Sequence, residues 1–168
     1  MSFKGEFKVA GNTYSVIQCS FHLKQKYGHN GKPASGVHTG SVTMILEGTD
    51  DGTFGSWIGD PTKKQDGKII FYRADQADTK FKEVTLEGAY LMTLMESFIL
   101  ENEISQTLLM EGETIVTDIG PGDDEDKMTR KFASLDLLNC QKATGRSYCI
   151  LLRISVGKIT IDGVEHEN

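Results

Sequence analysis

The sequence predicts a mainly β fold whose strands bend, as the strands of a barrel or a curved sheet do, and three observations predict it. Apolar and polar residues alternate with period two through most of the first hundred residues and again from Tyr148 to Ile161, the mark of strands with one buried face. Within two of these runs the apolar parity changes, and a strand changes its buried face only through a bulge or sharp bend. Glycine-rich turn signals separate the runs. A chain of 168 residues fits one domain. It buries roughly 70% of its unfolded surface, so its core needs no disulfide or metal.

In residues 3–9, Phe3, Gly5, Phe7 and Val9 alternate with Lys4, Glu6 and Lys8, giving a first strand. Gly11-Asn12 supplies a two-residue hairpin turn, because glycine takes a positive φ at little cost. In the second strand Tyr14 and Val16 give way to Ile17, Cys19, Phe21 and Leu23, which is the first expected bulge. Residues 24–40 (KQKYGHNGKPASGVHTG) lose the pattern and read as an exposed, extended loop, long enough to be a candidate for function. Strand patterning returns in residues 41–48, with Val42, Met44 and Leu46 inward. Thr49-Asp50-Asp51-Gly52 then forms a turn, and Asp50 or Asp51 can cap a short helix, TFGSWIG, that carries the single tryptophan, Trp57, and is stopped by Pro61.

Asp66-Gly67 reads as a turn before a strand at residues 68–73. The longest alternating run places Val84, Leu86, Gly88, Tyr90, Met92 and Leu94 on one parity. The last strand takes Ile150, Leu152, Ile154 and Val156 inward and switches parity at Gly157, a second bulge candidate. Between Leu100 and Ser147 the texture differs. Met128, Phe132, Leu135 and Leu138 recur at helical spacing, acidic residues precede them, and Lys142 and Gly145 follow, so residues 126–142 are expected to be helical. Residues 106–110 and 113–119 could pair as a hairpin through Glu111-Gly112. The apolar stripe of this segment must pack on the rest of the chain or on another subunit, and the acidic run Asp123 to Asp126 favours an outer position open to solvent.

Lys and Arg number 18 against 24 Asp and Glu, a formal net charge of -6. Non-specific binding to nucleic acid or to an anionic membrane is not expected of such a chain. No run approaches the roughly 18 apolar residues of a membrane span, and MSFKGEFKVAG lacks the apolar block of a signal peptide. Three cysteines, Cys19, Cys140 and Cys149, without C-x-x-C spacing, suggest reduced thiols rather than a disulfide framework or zinc site.

A catalytic or cofactor site has no sequence support. His22, His29, His38 and His166 show no H-x-H or H-E-x-x-H spacing, and Cys19 and Cys149 sit in expected strands with no locatable base. The acidic run lacks calcium-loop spacing. None of the glycines forms a phosphate-cradling motif. The expectation is therefore no catalytic, cofactor-binding or metal-binding residues.

In order and spacing, SFKGEFKVAGNTYSVIQCSF, the loop residues Gln25, Gly31, Lys32, Pro33 and Ser35, Glu47, and Trp57 followed by Asp66-Gly67-Lys68-Ile69-Ile70-Phe71 resemble the type VI secretion tube protein. This is the haemolysin-coregulated protein family in its Bacteroidetes form. Lys82-Glu83, Ala89-Tyr90, Glu96-Ser97-Phe98 and His166-Glu167-Asn168 fit the same pattern. The resemblance implies a two-sheet β-barrel with a short helix at its side. Here residues 1–168 would form one such domain, with an inserted hairpin and helix at about 100–147. It further implies a homohexameric ring that stacks into a hollow tube, partnered by sheath, spike and effector proteins. Such a tube is assembled in the cytoplasm and expelled through the type VI machine. Gln25, Gly31, Lys32, Pro33 and Ser35 would then belong to a loop that contacts the next ring. A structural subunit rather than an enzyme is implied, with no nucleic acid or membrane partner. The competing class is a barrel that binds a small ligand in its interior.

Overall fold

The computed structural model describes residues 3–21, 23–24, 28–32, 38–39, 41–73, 79–100, 125–162 and 164–167. Among the described residues ten strands and two helices follow in order: β1 (Phe3–Val9), β2 (Asn12–Ser20), β3 (Leu23–Lys24), β4 (His38–Thr39), β5 (Ser41–Glu47), α1 (Thr53–Ile58), β6 (Gln65–Arg73), β7 (Thr79–Phe98), α2 (Glu125–Thr144), β8 (Tyr148–Ser155), β9 (Lys158–Ile161) and β10 (Val164–Glu167). The strands β7-β6-β1-β2-β5-β8 pair in that order, all antiparallel, and β8 pairs back onto β7, so six strands close into a barrel. Closure removes the exposed edges that an open sheet would present. β9 and β10 extend the sheet from β7, and β3 pairs with β4 as a separate ribbon.

Closure depends on the length of β7. Its first half pairs with β6 and its second half with β8, from Tyr90 opposite Ser155 to Phe98 opposite Tyr148. The strand has to bend between the halves, and Gly88 is where it does so, at φ +62°, a conformation that suits glycine. Asp66 accepts the Gly88 N–H at 2.9 Å, and the Gly157 N–H reaches the carbonyls of Glu87 and Gly88. Asp66-Gly67 is therefore part of β6 and supports the β7 bend, not the turn expected from its sequence. Gly157 is confirmed as the place where β8 passes into β9. A Cβ there would lie 3.3 Å from the Glu87 carbonyl oxygen.

These bends redistribute the long alternating run. Val84 and Leu86 face the interior, but after Gly88 the inward residues are Ala89 and Leu91, and after a register shift between Leu91 and Thr93 the inward residue is Leu94. Met92, expected in the core, is 61% exposed. In β2 the expected bulge lies between Val16 and Gln18. Cys19, Phe21 and Leu23 then join Val16 on the core side, whereas Ile17 packs on the outside of the barrel.

The first hairpin also differs from expectation by one residue. Val9 pairs with Asn12, so its turn residues are Ala10 and Gly11, at φ 52° and 79°. Two positive values identify the primed turn that matches strand twist. Alanine in the left-handed region costs roughly 1–2 kcal/mol. Replacing Ala10 with glycine should therefore raise stability by about 0.5–1 kcal/mol, after allowing for glycine's greater unfolded-state entropy. A lower thermal midpoint for this variant would contradict the turn geometry. At the base of the loop 24–40, Leu23 pairs with Thr39 and Lys24 with His38, so the loop begins and ends as a strand ribbon rather than as irregular chain.

The interior of the barrel is filled. Phe7, Met44, Leu46, Ile69, Leu86 and Leu152 are all but fully buried there. α1 adds to this core. Its sequence, TFGSWI, has weak intrinsic helicity, but Phe54 and Trp57, three residues apart, share one face and both are buried. The Asp51 carboxylate accepts the Thr53 N–H at 3.0 Å, so the expected aspartate cap acts from one residue ahead of the N-cap, Gly52. The Trp57 indole N–H donates to the Lys63 carbonyl at 3.2 Å, which fixes the chain leaving the helix.

A second, smaller core lies on the outside of the barrel. Ile45, Cys149 and Leu151, on the outward parity of β5 and β8, pack with Leu137 and Cys140 of α2, and Leu138 packs on Ile99. α2 is thus seated on the outer surface, as expected, and spans slightly more than the predicted residues 126–142. Among the described side chains the packed face comprises Leu137, Leu138, Cys140 and Gln141, of which Leu138 belongs to the expected stripe. Of that stripe Leu138 is buried and Leu135 half-buried; the side chains of Met128 and Phe132, the proposed hairpin, and Asp123 and Asp124 lie outside the described residues.

Candidate assembly surfaces

One end of the barrel is formed where β7 finishes, β8 begins and α1 crosses. Its structure follows from Gly48, whose N–H donates to the Tyr148 carbonyl at 3.0 Å. A Cβ on Gly48 would lie 2.3 Å from Tyr148 Cδ1, so only glycine lets the Tyr148 ring lie across this strand end. Phe98 pairs with Tyr148 in register, and their rings sit 6.3 Å apart with Phe98 63% exposed. The Tyr148 hydroxyl donates to Glu96 Oε2 at 3.1 Å. That bond, with burial and the Glu96 charge, raises the phenol above its ordinary value. Behind the rings Gln141, fully buried, donates to the carbonyls of Ser97 and Ser147 at 3.1 and 3.0 Å, and Arg146 pairs with Glu47.

Across the same end, Tyr14 donates to Asp51 Oδ2 at 2.8 Å and its ring lies 4.7 Å from that of Phe54. Partial burial pushes the Asp51 carboxyl up, but bonds from the Thr53 N–H and from the Tyr14, Thr53 and Thr49 hydroxyls together hold it below its usual range. An open groove of about 400 Å³ runs beside α1 between Ile58, Pro61, Tyr90 and Met92. Lys64 lies over the Tyr90 ring at 5.5 Å.

The opposite end is formed where β1 and β7 begin and β6 finishes. Phe3 and Phe81 are each 48% exposed and their rings are 5.1 Å apart. Arg73 stacks over Phe81 at 5.3 Å, and Lys4 lies over Tyr72 at 5.4 Å. Glu83 bridges Lys68 at 2.9 Å and also pairs with Lys80, and these two cations hold its carboxyl below the ordinary value. From this end the chain leaves β2 and returns to β5 through the loop 24–40. Of the loop residues singled out by sequence, Gly31 and Lys32 are described and exposed; Gln25, Pro33 and Ser35 lie outside the described residues. The turn is closed by the Gly28 N–H on the Lys32 carbonyl at 2.7 Å, with Gly31 at φ +78°.

Sequence reading missed both aromatic rims. A signal existed for Phe3, Phe98 and Tyr148, which lie at strand ends where an inward parity runs out of core; Phe81 lies on the parity opposite to Val84 and Leu86, at a register shift of β7 against β6. Locating them required the register that pairs Phe98 with Tyr148 and brings Phe81 beside Phe3.

The described thiols are not set up for chemistry. Burial raises Cys19 to about 11 and, with the neighbouring Cys140 and Glu47, Cys149 to about 11 as well, so both stay protonated near neutrality. Among the described residues no three His, Cys, Asp or Glu side chains converge on a metal position, and no described helix is long and apolar enough to cross a membrane. What the surface does offer is exposed aromatic and charged groups at two opposite ends, an arrangement suited to binding other chains.

Residues 1–118 match the family model described as hemolysin coregulated protein Hcp (TssD). The fold is similar to that of Hcp1 from Flavobacterium johnsoniae, with TM-score 0.64, 18% identity, and 98% of this chain and 99% of that one covered. It is also similar to Hcp1 from Salmonella typhimurium (TM-score 0.55, 8% identity, 95% and 86% covered). Secreted protein Hcp3 from Pseudomonas aeruginosa gives TM-score 0.51 at 10% identity, with 99% and 92% covered. No curated protein matches the sequence.

Proposed function

Because the chain belongs to the hemolysin coregulated protein Hcp (TssD) family, the tube proteins of type VI secretion, we propose that it is the repeating subunit of a homohexameric ring that stacks into the inner tube of that machine. The observation that carries this reading, beyond the family, is the packed interior. Phe7, Met44, Trp57 and Leu152 fill the barrel, so a channel for cargo has to be enclosed between subunits rather than within one. The same packing weighs against the alternative of a small-ligand carrier, whose barrel would need an open interior.

On this reading residues 1–168 are one tube-protein domain, and the stretch of about 100–147 is an addition between β7 and β8. Its helix covers the outer apolar patch of Ile45, Cys149 and Leu151. The role is structural rather than catalytic. The subunit assembles in the cytoplasm and leaves through the machine, with sheath, spike and effector proteins as its partners. Gln25, Gly31, Lys32, Pro33 and Ser35 belong to a loop that reaches the next ring.

Light scattering on the purified protein should give a particle of about six times 18.6 kDa. A monomer at every concentration would remove the ring and tube together. Exchanging Lys32 and Pro33 for glycines should leave that particle intact and weaken its stacking, because one charge and one fixed φ are lost. Tubes of unchanged length in electron micrographs would reject the loop's role.

A further inference from the structure

Inward residues on either side of Ser20, Thr43, Arg153 and Thr93 belong to the barrel core, so these four side chains point outward. Ser20 pairs with Thr43, Thr43 with Arg153, and Arg153 with Thr93, which sets them in one polar row across β2, β5, β8 and β7. The neighbouring outward row holds Ile45 and Leu151, in register with each other and covered by Leu137 of α2. Where the polar row emerges beside the helix, a groove of about 170 Å³ is lined by Gln18, Ser20, Thr43, Arg153 and, from α2, Asp136. Arg153 is half-buried there. Among the described residues neither its guanidinium nor the Asp136 carboxylate has a hydrogen bond or ion pair. By contrast Lys68, Lys80, Lys82, Arg146 and Lys158 each reach a carboxylate. A cation and an anion that line one groove without pairing leave both charges for a third group, and a half-buried charge is ordinarily a paired one.

We infer that this groove binds a free amino acid, its carboxylate on Arg153 and its ammonium on Asp136. The site goes beyond the tube reading and stands without it. The flat guanidinium presents two parallel N–H donors, the fork that fits a carboxylate. The Thr43 hydroxyl, next to Arg153 in the row, donates to the same oxygens, and Gln18 and Ser20 supply further polar groups along the groove. A bare anion on Arg153 meets the like charge of Asp136, which opposes it. An ammonium beside the carboxylate turns that repulsion into a second attraction. An amine without a carboxylate is opposed in the same way by Arg153. Ile45 and Leu151 are each 1% exposed, so they offer the ligand's side chain little apolar surface. Recognition therefore rests on the two charges and discriminates weakly among side chains.

Equilibrium dialysis of the purified full chain against radiolabelled L-alanine tests the site. For so small a ligand the dissociation constant should be about 1 mM, with one alanine bound per chain. Unlabelled glycine should displace the label, whereas acetate and methylammonium, which each carry one of the two charges, should be at least tenfold weaker competitors. Arg153→Gln and, separately, Asp136→Asn should each weaken alanine binding at least tenfold and leave the thermal midpoint unchanged, since neither side chain holds another residue in place. No saturable uptake at ten times the expected dissociation constant overturns the proposal. Acetate as effective as glycine overturns it in favour of a simple anion site, and methylammonium as effective as glycine overturns it in favour of a cation site. Wild-type affinity in either variant places the alanine elsewhere and overturns it too. Should Arg153→Gln fail to fold, Asp136→Asn decides the matter, because Asp136 is exposed on the helix.

Discussion

Replacing Trp57 with alanine is expected to lower the free energy of unfolding by about 3–5 kcal/mol, the range for a large aromatic removed from a packed core. Trp57 is 1% exposed and belongs to the same core as Phe7, Met44 and Leu152. Its environment cannot collapse easily, because the closed sheet around it is held by hydrogen bonds on every side. The loss is also more than a cavity. The indole N–H holds the Lys63 carbonyl, and α1 has little helical propensity beyond what Phe54 and Trp57 supply by burial. Ordinary domains have only about 5–15 kcal/mol in total, so the variant should be poorly folded near physiological temperature. Urea unfolding followed by circular dichroism gives the answer, since the substitution removes the single tryptophan as a fluorescent probe. Trp57→Phe should recover most of the packing and lack only the hydrogen bond. A loss under about 1 kcal/mol for Trp57→Ala would mean that α1 is not part of the barrel core.

Leu137→Ala should cost about 2–5 kcal/mol through the same transfer and cavity effects, but the consequence differs in place. Leu137 is 1% exposed between α2 and the outward residues Ile45, Cys149 and Leu151. Among the described residues α2 packs on the barrel through Leu137, Leu138, Cys140 and Gln141, so weakening this seam should release the helix before the barrel opens. Tryptic cleavage after Lys142 and Arg146 should accelerate, while amide protection in β1 and β6 falls less. Equal loss of protection in α2 and β1 would show that helix and barrel unfold as one unit. An unchanged unfolding midpoint would show that the seam contributes nothing.

The comparison of Met92 with Met44 explains which parts of this protein can be read without its structure. Both methionines sit in alternating runs and both are expected inside. Met44 is 1% exposed because β5 keeps one register along its length against β8, and Met92 is 61% exposed because β7 carries a bend at Gly88 and a shift after Leu91. Period-two patterning reports which residues share a face only as far as the next bulge. Bulges at residues 16–18 and at Gly157 announced themselves as parity changes in apolar residues. The shifts in β7 were hidden, since Tyr90, Met92 and Leu94 continue the apolar series whichever way they point. Asp66-Gly67 misled for a related reason. Its composition is that of a turn, yet Asp66 is used across the sheet, accepting the Gly88 N–H that the bend leaves unpaired.

The candidate surfaces divide in the same way. The loop 24–40, with its lysines and glycines, is visible from composition because loops are set by local chemistry. The aromatic rims are not, because Phe3 meets Phe81, and Phe98 meets Tyr148, across long separations in the chain. By itself the sequence determined that the chain is mainly β, where most of the described strands and both described helices lie, the resemblance to the tube-protein family, and the absence of any motif for catalysis. These follow from short-range periodicity and residue order, which act within a few residues. Only the tertiary structure decided that β7 closes the barrel by serving two partners, that α2 seals the outside through Leu137 and Cys140 beside Leu138 of its predicted stripe, and that the two barrel ends carry aromatic rims. Those depend on register between distant segments, and register is set by how the whole core packs, not by any one stretch of chain.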